Sequence, residues 1–246
     1  MKASPEAQLR LLELADLDAE LGRLDHRRRG LPEIAEYQQL EARDSELRDE
    51  LTALEAQESD LKREQAKAEA DVDQVRSRVV RDQGRLDAGQ VSSPRELENL
   101  QSEIVSLGRR QSDLEEVALD VMERREQAEH RRDALTAGRA ELARERADVG
   151  ARRDAALAEI GEQVDKAAGL RAGVATGVPP DLLELYDKLR AQHGVGAAML
   201  RGGRCEGCHL SLNAVDLAAY RAADPDEVLR CEECRRILVR TAESGL

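Results

Sequence analysis

The chain has 246 residues, 36% of them charged and 1% aromatic, and its 51 acidic and 38 basic side chains give a formal net charge of -13. Tyr37, Tyr186 and Tyr220 are its only aromatic residues, so it lacks the side chains that dominate buried area in ordinary cores, and one large globular core is excluded. No apolar run approaches the roughly 18 residues of a membrane helix, and Met1 to Gln8 carries no apolar stretch that serves as an export signal. The cytoplasm is the expected compartment.

The first helical segment runs from about Ala7 to Asp87. Leu14, Leu17, Leu21, Leu24 and Leu31 follow the 3-4-3-7 spacing of a coiled-coil seam. Gly30-Leu31-Pro32 predicts a kink or short break, because proline removes a donor and clashes with the preceding turn. Beyond it Leu40, Leu47, Leu54 and Leu61 recur every seven residues, continued by Ala68 and Val75. The companion column, Asp44, Leu51, Glu58, Gln65, Val72, Val79 and Leu86, is polar at three of seven positions, so it needs a partner that meets its charges.

Residues 88–94 form the predicted turn. Ser93-Pro94-Arg95-Glu96 reads as an N-cap, a first-turn proline and a capping-box glutamate. The helix that starts there places Leu100, Leu107, Leu114, Val121, Ala128, Leu135, Leu142 and Val149 at seven-residue intervals. Its companion column is Ile104, Gln111 and Ala118, then Arg125, Arg132, Arg139, Arg146 and Arg153. Such a ladder is either a basic stripe for a phosphate backbone or acidic partner, or a set of stems laid over the seam to pair with Asp44 and Glu58. Acidic flanks at Glu126, Glu129, Asp133, Glu141 and Glu145 favour the second. Segments of roughly 80 and 76 residues and the capped turn favour an intramolecular antiparallel hairpin, of open register and with arms of about 110 to 120 Å, over the alternative of a parallel homodimer.

The second helix fades after Ile160 and Val164, and the glycine- and proline-rich run to Pro180 reads as a linker. The expected division is a hairpin over 1–170, a linker over 171–180 and a small module over 181–246. That module begins with an amphipathic helix carrying Leu182, Leu183, Leu185, Tyr186 and Leu189 and stopped by Gly194. Strands are expected at Val195–Arg201, His209–Leu212 and Ile237–Arg240, with a helix from Asn213 through Tyr220.

Cys205, Cys208, Cys231 and Cys234 are the only cysteines, arranged as two Cys-x-x-Cys knuckles 22 residues apart. That spacing lets four thiolates close a tetrahedron around one structural Zn²⁺ with a small β-structure between them. Four thiolates leave no position for water or substrate, which argues against a zinc hydrolase. Disulfides require an oxidising compartment, and a redox Cys-x-x-Cys requires a βαβ setting that is missing here. His209 adjoins a filled site and is expected to point away from it.

In order, a hairpin, a helix, a Gly-rich strand, Cys-x-x-Cys-x-Leu-x-Leu, a helix and Leu-Arg-Cys-x-x-Cys-x-Arg-Ile-Leu resemble the bacterial family of coiled-coil proteins ending in a C4-type zinc ribbon. The resemblance spans essentially the whole chain, with Cys231 to Leu238 carrying most of its weight. It implies an adaptor: members have been linked to nucleic-acid binding and to partners in transcription, flagellar or secretion assembly. One departure is Arg235, which follows Cys234 where glycine is usual and must bear any left-handed conformation needed there.

The expected fold is therefore mainly α, a long antiparallel coiled-coil hairpin with a small C-terminal α+β zinc-ribbon domain. Its expected function is that of a non-enzymatic adaptor for a protein partner, with the coiled coil as spacer and docking surface. The alternative is an RNA- or DNA-binding regulator acting through Arg201, Arg204, Arg230, Arg235, Arg236 and Arg240. Against it, residues 181–246 hold nine basic and eleven acidic side chains, and the strands lack aromatics for base stacking. A purely structural rod is a third reading. No phosphate-binding glycine loop, no nucleophile with a paired base and no open metal site occurs, so neither an enzyme nor a small-molecule substrate is expected. Without a long apolar run, no membrane partner is expected either.

Overall fold

The computed structural model describes residues Met1–Leu246. Five helices, α1 (Pro5–Arg29), α2 (Pro32–Asp87), α3 (Pro94–Ala175), α4 (Pro180–His193) and α5 (Ala214–Ala222), combine with four short strands. These are β1 (Ala197–Arg201), β2 (Arg204–Cys205), β3 (Leu229–Arg230) and β4 (Ile237–Val239). The chain divides into two compact units, Glu36–Val149 and Met1–Ala35 with Gly150–Leu246.

In the unit Glu36–Val149, α2 and α3 run antiparallel. Apolar side chains at seven-residue intervals bury one stripe per helix: Leu54 and Leu61 pack with Val121 and Ala128, and Ala68 and Val72 with Leu114 and Ala118. The companion columns meet as acid against base. Arg125 donates to Gln65, Arg132 to Glu58 at 3.0 Å and Arg146 to Asp44 at 3.4 Å. Seven or fourteen residues back along α2 thus match the same step forward along α3. Arg139, which falls opposite Leu51, turns instead to Asp44 at 2.7 Å. Four of the five arginines of the ladder thus reach across the seam to α2, the pairing reading that its acidic flanks favoured. At the turn, Ser93 Oγ accepts the Glu96 N–H at 3.2 Å, an N-cap just before Pro94.

The other unit is built on the sheet, whose order is β2-β1-β4-β3. β1 and β4 are parallel, with Ala197 opposite Ile237 and Met199 opposite Val239; the outer pairings are antiparallel. Side chains alternate between faces. Ile237, Val239 and Ala197 pack with Leu11 and Leu14 of α1 and Leu182, Tyr186 and Leu189 of α4. Leu238, Ala198 and Leu200 face the other way, toward Cys205, Cys231, Leu212 and Tyr220. Removing α1 would leave the Ile237 face of the sheet covered by α4 alone. For this reason the expected boundary between 1–170 and 181–246 does not follow the packing.

Three further expectations are corrected. The linker expected from 171 is helical to Ala175. Val174 and Ala175 pack against the core and Arg171 bonds to Asp18 there, and these contacts outweigh the cost of about 1 kcal/mol each for Gly169 and Gly173. Only residues 176–179 connect α3 to α4. The strand expected at His209–Leu212 is reduced to one bridge, Arg204 with Ser211, because the left-handed His209 turns the chain away. On α1 the buried row is Ala7, Leu11, Leu14, Ala15 and Asp18, while Leu17 and Leu21 are only half-buried. Along the far side of the sheet, Val228 donates to the Met1 carbonyl and Ala3 to Asp226, so the amino-terminal residues run beside 226–228.

Candidate metal centre and its surroundings

Each knuckle is a small closed loop built by the same bonds. The Cys205 N–H donates to the Leu210 carbonyl at 3.0 Å and the His209 N–H to the Cys205 carbonyl at 2.8 Å. In the second knuckle Cys231 donates to Arg236 and Arg235 to Cys231, both at 2.9 Å. Closing such a loop sends the residue after the second cysteine into the left-handed region, at φ 62° for His209 and 63° for Arg235. The strain expected at Arg235 is present, and His209 shares it.

The loops gather the thiols. All four sulfurs lie within 4.8 Å of one another, with Cys205–Cys234 at 3.8 Å and Cys208–Cys231 at 3.9 Å. A tetrahedron with Zn–S bonds of about 2.3 Å separates its sulfurs by about 3.8 Å, so the donors fit one Zn²⁺. Cys205 and Cys231 are fully buried and the other two half-buried. Burial pushes the Cys205 thiol up to about 12, and Cys231 upward as well, although backbone N–H groups of Cys208 and Gly207, and of Cys234 and Glu233, pull down. At Cys234 burial is outweighed by N–H donors of Arg236 and by neighbouring thiols, and the net direction is down. Bound as thiolates, the four sulfurs would tie both knuckles to the sheet, and the metal supplies folding free energy with no open coordination position.

The six arginines singled out from the sequence do not form one free patch. Arg204 and Arg230 precede the two knuckles, and each turns its Nε to the carbonyl of the left-handed residue, His209 at 2.7 Å and Arg235 at 2.9 Å. They clasp the loops in equivalent ways. Arg236 donates to the Val195, Gly207 and His193 carbonyls, and Arg240 to those of Tyr220, Ala223, Asp224 and Glu227. Arg201 and Arg235 are exposed, paired with Glu243 and Glu232.

One cluster escaped the sequence reading. Asp18 on α1 has a side chain with 0% exposure, and it accepts from Arg171 Nε at 2.7 Å and the Tyr186 hydroxyl at 2.6 Å, with Arg190 Nε at 2.8 Å. Three helices are fastened at this carboxylate. Its only signal was an aspartate seven residues after Leu11, on the apolar face of α1. Burial, then the Asp18 bond, keeps the Tyr186 phenol protonated well beyond its usual range.

Fold and site together define a helical-hairpin protein with a four-cysteine zinc ribbon. The chain belongs to the CT398-like coiled coil hairpin domain family, whose model matches residues 14–194, and the C4-type zinc ribbon domain matches residues 204–238. An uncharacterized protein of Mycobacterium tuberculosis is 40% identical over 244 residues, 98% of both chains, and one of Mycobacterium leprae is 31% identical over 224 residues, 89% of this chain and 94% of the other. A solved protein from Mycobacterium smegmatis is similar at 37% identity and a TM-score of 0.84, covering 98% of this chain and 100% of the other. CT398 from Chlamydia trachomatis shares the fold at 18% identity and a TM-score of 0.75, covering 96% and 98%. Neither domain family is of an enzymatic kind, and no helix is long and apolar enough to cross a membrane.

Proposed function

We propose that the protein is a non-enzymatic cytoplasmic adaptor. Its zinc-ribbon unit presents a recognition surface for a protein partner, and the hairpin is spacer and second docking surface. The observation that carries this reading is the engagement of the arginines: of the seven from Arg201 to Arg240, four are committed to backbone carbonyls and two face glutamates, which leaves Arg221 on α5 as the one exposed without such a partner. A ribbon that spends most of its arginines on its own loops and glutamates offers little to a phosphate backbone. The test is a fluorescence-anisotropy titration of the zinc-loaded chain against short RNA and DNA at low and physiological salt. An Arg201→Ala/Arg235→Ala variant, which spares the clasps, is run alongside. The expected result is no saturable binding. Binding that weakens with salt and with the double substitution would replace the adaptor with a nucleic-acid regulator.

A further inference from the structure

The face where α1 passes β1 and the first knuckle is left open. α1 lines it with Leu12, Ala15 and Ala19, β1 and the segment before it line it with Val195, Ala197, Ala198 and Met199, and between these mostly small side chains a groove of about 370 Å³ remains. Gly207 forms part of its wall, where an added Cβ would meet the Ala198 Cβ at 2.9 Å, so the knuckle backbone already rests on the strand. The volume falls in the range of roughly 300 to 1,000 Å³ typical of binding sites.

The rim of this groove is acidic. Asp16 and Glu206 line it, and exposed Glu13 and Glu20 lie one turn to either side of Asp16 on α1. None of these four carboxylates has a cationic partner within the protein, in contrast to Asp18 and Asp25 on the same helix.

We infer that the groove is the docking site for a basic amphipathic segment of a partner protein, its apolar side chains against the alanine floor and its lysines or arginines on Asp16 and Glu206. This rests on the adaptor reading and names the partner's chemistry. The apolar floor supplies affinity, and the unpaired carboxylates select for cations and against acidic segments. They also select against a second copy, since each copy carries a formal charge of -13.

The probe is a fluorescein-labelled peptide of about 16 leucines and lysines patterned as an amphipathic helix, titrated by anisotropy into the zinc-loaded full chain at about 0.15 M salt. Asp16→Lys/Glu206→Lys and the uncharged groove-filling Ala19→Phe are each expected to weaken binding about tenfold or more. Glu123→Lys/Glu141→Lys, the same charge change on exposed sites of the hairpin, is expected to weaken it less than about twofold. Equal loss in the two double variants would mean diffuse attraction and overturn the proposal. So would full affinity in Ala19→Phe, no binding by the unaltered protein, or self-association in sedimentation that Ala19→Phe abolishes. Any of these with RNA and DNA still unbound discards the groove and leaves the adaptor; RNA or DNA binding discards the adaptor itself.

Discussion

Asp18 and Asp44 lie one in each unit, and each sits on the apolar face of a helix where it receives several guanidiniums. Asp18 is sealed among α1, α3 and α4, with a tyrosine hydroxyl on its second oxygen. Asp44 lies in the two-helix seam with Arg48, Arg139 and Arg146, whose side chains stay at least a third exposed. Two helices alone cannot enclose an ion pair, because each has its far side in water; a third element can. The same residue type is thus a fully sealed lock in one unit and, at 9% side-chain exposure, a register mark at the edge of a seam in the other.

Removing the metal separates the units most sharply. Structural zinc contributes on the order of 10 kcal/mol in small modules, so Cys231→Ser or chelation is expected to unfold the ribbon. β4, which packs on α1 and α4, would be lost with it, while the seam of α2 and α3 contains no group that depends on the metal. Far-ultraviolet circular dichroism should therefore keep most of its helical signal after chelation. Collapse of that signal would show that the two units do not stand independently.

Asp18→Ala comes next. It leaves Arg190 and the Tyr186 hydroxyl without the carboxylate and Arg171 with Asp187 alone, at a cost of about 3 kcal/mol, toward the low end for a broken buried pair because Arg171 keeps that second partner and both guanidiniums reach solvent. Thermal unfolding of the zinc-loaded chain reads it. A cost below about 1 kcal/mol would place Asp18 on the same footing as a surface pair.

Asp44 is tested by pH. The hydrogen bond from Arg139 comes first among the causes that hold its carboxyl below the usual carboxylate range, ahead of the opposing effect of burial. A depressed folded pKa stabilises above the unfolded value and loses that contribution as pH falls through the folded value. The melting temperature should accordingly drop below about pH 4, and more steeply than in Asp44→Asn, which has no proton to gain there. Parallel curves for the two would show that Asp44 does not titrate with folding.

These contrasts explain what was legible beforehand. A hairpin seam repeats every seven residues, so Leu54, Leu61, Val121 and the arginine ladder announced both the pairing and its charges. The ligands Cys205, Cys208, Cys231 and Cys234 were equally plain, since their spacing is set by a loop closed on itself. Asp18 was not, because its meaning depends on Arg171, Tyr186 and Arg190, more than 150 positions away and brought in by α3 and α4. The boundary near residue 170 failed similarly. Gly169 and Gly173 look like a linker locally, and the helix runs past them because Arg171 bonds to Asp18 and Val174 and Ala175 pack on the core.

The smallest effect tests the knuckles against each other. His209 and Arg235 hold the same left-handed conformation, which costs a side-chain-bearing residue about 1 to 2 kcal/mol relative to the right-handed one. Glycine removes that strain but adds backbone entropy to the unfolded chain worth roughly 0.5 to 1 kcal/mol. Arg235→Gly sacrifices only an exposed pair with Glu232, while Arg230 still reaches the carbonyl at position 235. The ribbon should therefore gain up to about 1 kcal/mol and release zinc more slowly to a chromogenic chelator. Arg230→Ala removes the clasp and should speed release. If Arg235→Gly also sped it, the left-handed backbone would be supported by the arginine side chain rather than merely tolerated, and the two knuckles, alike in their backbone bonds, would differ in what holds them.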